Sequence, residues 1–282
     1  IAGVGLIGGA IGLDFKKRNL AGTVFGWGRN LKKLEKAVKM GAIDTASLHY
    51  EEAVSGADLI ILATPPDVIL KQMKDILPYV QGGAAIIDVG SIKQPIVEAA
   101  AKAGFKKRGA EFVGCHPMAG SDKTGVSNAC PGLFDGAPCI VTPRDNSGEI
   151  IEKIIKLWKD LGSKVIVMDP AEHDRAVGAV SHLPHVMATV LINTVAEYME
   201  TPDKAAGISG ASLAETTRVA KASPELWYDI YSGNKENLIQ AIKEAEAKLE
   251  EFRKVLEKGN EEKTIEIMDK AKRFREKLWS SD

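Results

Sequence analysis

The stretch GVGLIG, residues 3–8, decides the fold of this chain. Its first two glycines follow a short apolar start and precede a second apolar run, LIGGAIGL, which holds the third. In a chain with 27 glycines the spacing alone says little. Between a strand and a helix it reads as a dinucleotide cradle. Gly3 permits the tight turn, Gly5 lets a diphosphate approach the backbone, and Gly8 lets helix and strand pack closely. Leu6 and Ile7 then open a helix whose free N–H groups and positive dipole end suit an anion. A glycine-rich turn without a ligand is the alternative.

Outward from this motif, short β-rich runs alternate with helical stretches up to about residue 168. The runs are residues 1–5, 23–28, 59–64, 84–90, 111–117, 138–143 and 164–169. Several are continuously apolar, as strands buried on both faces should be. The alternation predicts a largely parallel, doubly wound sheet. The run ending in FGWGRN should carry an acid for the adenosine 2′-hydroxyl. Gly28 stands there instead, followed by Arg29. Without the acid a 2′-phosphate is not repelled, and an arginine can bind one. NADP is therefore the expected cofactor, with NAD remaining if Arg29 only stacks on adenine. Thr64 and Pro65 in LATPP, and Ser91 in DVGSIK, end two further strands at the same crevice.

In VGCHPMAGS, residues 113–121, His116 stands at a strand's carboxyl end, and Pro117 should take the chain out of the sheet. An imidazole with an unperturbed pKa of ~6.5 suits general-base work near neutrality. A packed structural histidine fits the spacing equally well. Cys115 should face away from His116, because neighbouring strand side chains point to opposite faces.

From Asp169 onward the texture is helical. Asp169-Pro170-Ala171-Glu172 is a helix start with Asp as N-cap and Pro at the first position. SHLPH, residues 181–185, lies in that first helix, where Pro184 should cause a kink. His182 reads as structural and His185 as functional. Arg218, in TTRVAKAS, is either a solvated side chain or a fork for a carboxylate. Later, apolar residues at 238, 242, 245, 249, 252 and 256, and at 265, 268, 271, 274 and 278, step by three and four. Gly259-Asn260 separates the two stripes. They close an internal core or join two subunits; the length of apolar face favours a homodimer. The domains expected are 1–168 and 169–282.

Composition narrows the function classes. With 37 basic and 38 acidic residues the net charge is −1, which gives no nucleic-acid signature. No uninterrupted apolar run approaches the ~20 residues of a membrane span. Three cysteines without CxxC spacing argue against a disulfide framework or a metal site, and favour the cytoplasm. The chain opens without an initiator Met, so a few preceding residues are expected, and no appended regulatory or mutase domain is expected.

GxGxxG, DVGSIK, GCHPMAGS, LFDGAPCIVTP, AVSHLPH and TTRVAKASPELWYDIYSGNKENL resemble, in this order, the prephenate/arogenate dehydrogenase family. The likeness runs from residue 1 to about residue 242. It implies a Rossmann-like α/β N-terminal domain, an all-α C-terminal dimerisation domain, and an enzyme of tyrosine biosynthesis. It also implies roles: His116 as the catalytic histidine, Ser91 near cofactor and substrate, His185 lining the substrate pocket, Arg218 on a substrate carboxylate. Three departures from common members stand out: Ser121-Asp122 after HPMAG, Ala211-Ser212-Leu213 before the arginine, and the absent acid at Gly28. Asp122 either favours the ammonium of arogenate or is a solvated loop acid, and Ser121 lies beside it. A β-hydroxyacid-type dehydrogenase using Lys221, and a non-enzymatic dinucleotide-binding module, are the alternatives.

Overall fold

The computed structural model describes residues 1–120, 123–199 and 201–279. It divides into two compact units, Ile1–Lys235 and Glu236–Asp282.

In the first unit, β1 (Phe25–Trp27) pairs in parallel with β2 (Thr45–Ser47). A second group runs in the order β3 (Leu59–Leu62), β4 (Ala85–Asp88), β5 (Glu111–Pro117), β6 (Pro138–Thr142) and β7 (Lys164–Val167). Ala2 bridges Trp27 on one side and Leu62 on the other, so the first residues join the two groups. The expected strand over 1–5 shrinks to this bridge, because Gly3 turns the chain at φ +84°. β3, β4 and β5 are parallel, β6 runs against β5, and β7 is parallel to β6. The edge strand β2 has no apolar run and was not expected.

The period-2 alternation of the strands builds two cores. Ile61, Ile87, Val113, Cys115 and Val141 face one way. There they meet α1 (Leu6–Lys17) through Ile11 and Phe15, and α6 (Gly148–Asp160) through Ile150, Ile154 and Trp158. Ile60, Leu62, Ile86 and Phe112 face the other way. They meet α4 (Pro66–Ile76) through Ile69 and Met73, and α5 (Gln94–Ala103) through Ile96 and Val97. Sheet residues buried on both faces follow from the continuous apolar runs. The shorter helices α2 (Leu31–Lys39) and α3 (Tyr50–Val54) complete this half.

Pro117 stays in the strand, contrary to expectation. It pairs with Cys139 of β6, and Met118 N donates to Pro138 O at 2.8 Å. Strand amides alternate in direction, so the nitrogen of Pro117 points to the β4 side, where Asp88 has already ended that strand. No ladder bond is lost there.

Asp169 caps α7 (Pro170–Val177) by accepting from Ala171 N at 2.8 Å and Glu172 N at 3.3 Å. A single widened turn, Gly178–His182, joins it to α8 (Leu183–Tyr198). The kink expected at Pro184 takes this form. Pro184 has no N–H for a partner four residues back, and Leu183 N instead reaches Gly178 O five residues back. Pro170–Tyr198 is long and apolar enough, by length and composition alone, to cross a membrane. The segment is not one apolar run, because Asp174, His182, His185 and Thr189 interrupt it. α9 (Pro202–Ile208), α10 (Ala211–Thr217), a 3₁₀ turn (Arg218–Lys221) and α11 (Pro224–Gly233) follow. α7 packs on α5 and β6, and α11 on α4. The helices up to Gly233 thus lie in the same compact unit as the sheet, and compactness does not divide at 168/169.

The second unit holds nearly all of α12 (Lys235–Glu257), and α13 (Glu261–Leu278). Gly259 at φ +60° ends the first, and Asn260 caps the second by accepting from Lys263 N at 2.9 Å. Their apolar stripes remain open: Leu249, Leu256, Ile265, Met268 and Phe274 are all exposed.

Candidate active site

The glycine motif meets the steric demands predicted for it. A Cβ on Gly8 would lie 2.3 Å from Gly3 O, and one on Gly3 would lie 2.7 Å from Ala63 O. A Cβ on Gly5 would meet nothing within 4 Å, so the space before it is open. α1 begins at Leu6 with no side-chain cap and no acid in its first turn. The first amides, including those of Leu6 and Ile7, therefore face an open and electropositive place, and the cradle fits a dinucleotide diphosphate. Thr64 is half-buried and donates from Oγ1 to Gln72 Oε1 at 2.7 Å; Pro65 leads into α4. Gly28 and the exposed Arg29 follow β1 directly.

His116 is buried near the carboxyl end of β5, while Cys115 turns into the opposite core. Burial and the nearby Asp88 push the Cys115 thiol up to about 12, so it is an inert thiol. On the His116 side, a Cβ on Gly114 would strike Thr142 Oγ1 and Val97 Cγ2 at 2.4 and 2.8 Å, with Lys93 Cδ 3.3 Å away. Lys93 is fully buried and ion-paired with Asp88, itself fully buried. Asp88 also accepts from Gly90 N at 2.9 Å and Cys115 N at 3.3 Å. Burial raises the Asp88 carboxyl, and Lys93 and these amides oppose the rise.

His116 Nδ1 lies 2.8 Å from His173 Nε2, and His173 Nδ1 lies 2.7 Å from Asp174 Oδ1. Asp174 accepts from Lys93 N at 2.7 Å and Gln94 N at 2.9 Å, at the start of α5. Burial, then His173, Lys93 and His182, holds His116 well below the usual imidazole range. It is therefore a neutral base at physiological pH. Burial likewise lowers His182 to about 4. His182 Nδ1 accepts from Asn234 Nδ2 at 3.2 Å, and Asn234 also donates to Asp174 O at 2.7 Å. His182 is a structural link, as expected.

His185 stacks on Trp227, with centroids 3.7 Å apart and planes 14° apart. Its Nδ1 is 2.5 Å from Tyr231 Oη. Burial raises the Tyr231 phenol to about 12, so it is a hydroxyl that can donate to Nδ1. The proton of a neutral His185 then sits on Nε2. That atom is buried and makes no hydrogen bond of good geometry, although the Val219 backbone acts on the ring. An unmet buried donor of this kind points to a ligand acceptor.

Ser91 is half-buried in the turn between Asp88 and Lys93. Arg218 heads the 3₁₀ turn packed on α8, and its side chain is exposed rather than turned inward. Lys221 shares that turn and is exposed. Ser121 and Asp122 lie outside the described residues. No group of three His, Cys, Asp or Glu able to hold a metal occurs among the described residues. Sequence reasoning missed Asp88, Lys93, His173 and Asp174. The adjacent His-Asp pair directly after the helix start at Asp169 is the signal that was available.

Two family models match along the chain. Residues 11–167 match the family model of the prephenate dehydrogenase nucleotide-binding domain, and residues 169–270 that of the prephenate dehydrogenase dimerization domain. The prephenate dehydrogenase of Bacillus subtilis is 30% identical over 280 residues, 99% of this chain and 75% of that protein. The crystal structure of prephenate dehydrogenase from A. aeolicus, in complex with hydroxyphenyl propionate and NAD+, superposes with a TM-score of 0.89. It is 31% identical and covers 98% of this chain and 96% of that one. Synechocystis arogenate dehydrogenase superposes with a TM-score of 0.83, at 27% identity and 98% coverage of both chains.

Proposed function

This chain belongs to the prephenate dehydrogenase family, and we propose that His116 is the general base of its reaction. The activity is the oxidative decarboxylation of prephenate or arogenate in tyrosine biosynthesis, with NAD(P)+ as hydride acceptor. The nicotinamide supplies the place for the hydride; this chain supplies position and a proton acceptor. As the ring carbinol loses hydride, its hydroxyl proton passes to His116 Nε2. The ketone formed is conjugated with the carbon that bears the carboxylate, and loss of CO2 restores an aromatic ring. That aromatic gain leaves the protein little intermediate to stabilise. The observation that carries this assignment is the tether of His116 Nδ1 to His173, which leaves Nε2 for the substrate.

Ser91 orients the substrate hydroxyl. His185 donates from Nε2 to one carboxylate, supported by its unmet buried donor. Arg218 binds the other carboxylate, its exposed side chain reaching the substrate on binding. Ser121 and Asp122 are assigned to substrate binding by their place after HPMAG in the sequence. Gly3, Gly5, Leu6, Ile7 and Gly8 hold the diphosphate, with Thr64 and Pro65 along the crevice. Arg29 takes a 2′-phosphate, so NADP is preferred over NAD. Function divides at 168/169, into a cofactor-binding part and a substrate-binding part that joins two subunits. The homodimer is supported by the open apolar side of α8, where Val190 is 52% exposed. A cytoplasmic location is supported by the buried free thiols of Cys115 and Cys139.

The test is kcat/KM for prephenate and arogenate, each with NAD+ and NADP+, followed by absorbance of the reduced nicotinamide. Turnover with NADP+ above NAD+ is expected. Cofactor binding without turnover of either substrate would overturn the reading.

A further inference from the structure

The base of the reaction is not a lone imidazole. From β5 the contacts run through His173 to Asp174, and every member is at least nine-tenths buried. We propose that His173 and Asp174 are positioning residues that set the tautomer of His116 and share the charge it gains. The proposal rests on His116 being the base, and deepens that reading.

Hydrogen-bond accounting assigns the protons. Asp174 receives Lys93 N and Gln94 N at the first turn of α5, which suits a carboxylate. Its Oδ1 also takes the Nδ1–H of His173. A neutral His173 then presents a lone pair at Nε2. That lone pair faces His116 Nδ1 at 2.8 Å, so the His116 proton must sit on Nδ1. The free lone pair of His116 is thus on Nε2, the nitrogen a substrate hydroxyl would reach. With the opposite tautomer of His173, two N–H groups or two lone pairs would meet in at least one contact of the row.

The same row answers a charge problem. Protonated at Nε2, His116 becomes an imidazolium with Lys93 close by and a second imidazole, His182, near it. Asp88 faces Lys93 and is engaged by it. Cys115 on β5 itself and Cys139 on the neighbouring β6 are buried thiols, and His185 is neutral within its aromatic stack. Asp174, through His173, is the carboxylate directly linked to the new charge. The Nδ1–H of an imidazolium donates more strongly, so the bond to His173 strengthens as the proton arrives. Interactions that strengthen only as charge develops raise kcat rather than affinity.

A histidine that only packs has no need of a fixed tautomer, whereas a positioning residue for His116 does. Nitrogen-15 NMR of the histidine rings in the wild-type protein reads this directly. The expected result is His116 protonated at Nδ1 and bare at Nε2; the reverse tautomer would overturn the proposal without any variant. Kinetics supply the second readout. His173→Ala is expected to lower kcat by about 100-fold with KM within threefold. His173→Gln, whose carbonyl oxygen can accept from His116 Nδ1, should recover at least about tenfold of that loss. Asp174→Asn forces its amide N–H toward His173 Nδ1 or toward the α5 amides. Where folded, it should lose kcat by about 100-fold or more and move the acid limb of the kcat/KM profile. If folded His173→Ala keeps kcat within threefold while His116→Asn loses it, the row is only structural and the base assignment stands. If His116→Asn also keeps kcat, the base assignment itself fails.

Discussion

Ile60, Ile61, Leu62, Ile86 and Ile87 in β3 and β4 are at most 4% exposed. In α8, Met187, Val190, Leu191 and Ile192 are between 37% and 52% exposed, although the segment is as apolar. The strands find both covering layers within their own chain. α8 uses one side for the site, through His185 and Ala188, and leaves the other open. An apolar face of this extent on a lone subunit marks an association surface. Equal hydrophobicity therefore means core in one region and interface in the other. The sheet supplies the rigid edge that holds His116, and the helices supply the groups that close on it.

Breaking the sheet side of this comparison should have the largest effect. His116→Asn is expected to lower kcat by about 1000-fold with KM within threefold, measured by steady-state kinetics. A kcat within threefold of wild type would refute it. Next come two glycines of one motif. Gly8→Ala forces a Cβ against Gly3 O, and is expected to cost about 3 kcal/mol in urea unfolding. Gly5→Ala meets nothing in the protein, so its unfolding midpoint should hold while cofactor affinity falls. Equal stability loss in both would show that the motif serves packing alone.

Acid should weaken the helical side. An unfolded histidine titrates near 6.5, and His182 in the fold near 4. Between these values the unfolded chain binds a proton the folded one does not. The contribution is complete above 6.5 and lost as pH falls toward 4. At about 1.4 kcal/mol per pKa unit this is on the order of 3 kcal/mol, and His116 and His185 add in the same direction. Urea midpoints measured from pH 7.5 down to pH 5 test it; a flat series would contradict it. Val190→Asp is expected to raise the dimer dissociation constant by about 100-fold, read by sedimentation, with the unfolding of the sheet little changed. The smallest effect is at the cofactor's far end: Arg29→Ala should reduce the NADP+ over NAD+ preference in kcat/KM by about tenfold.

Local necessity made much of this legible in advance. Gly3, Gly5 and Gly8, the Asp169 cap, the break at Gly259 and the disturbance at Pro184 follow from backbone sterics within a few residues. His116 and His185 stood out by position and by resemblance. His173 and Asp174 were missed because their partners lie 57 and 81 residues away. Lys93 was missed because a charged residue before a helix looks like a solvated one until the fold buries it against Asp88. Arg218 read either as a solvated side chain or as a carboxylate fork, and the 3₁₀ turn leaves that side chain exposed.

The amino-acid order by itself determined the layered sheet, the helical second half and the place of the cofactor turn. Periodicity and glycine geometry act over short spans of chain, so they can be read without coordinates. Tertiary structure alone decided which nitrogen of His116 is free, why that ring stays neutral, and which apolar faces remain uncovered. Protonation depends on lost water and on neighbours brought from distant segments, and coverage depends on what packs where.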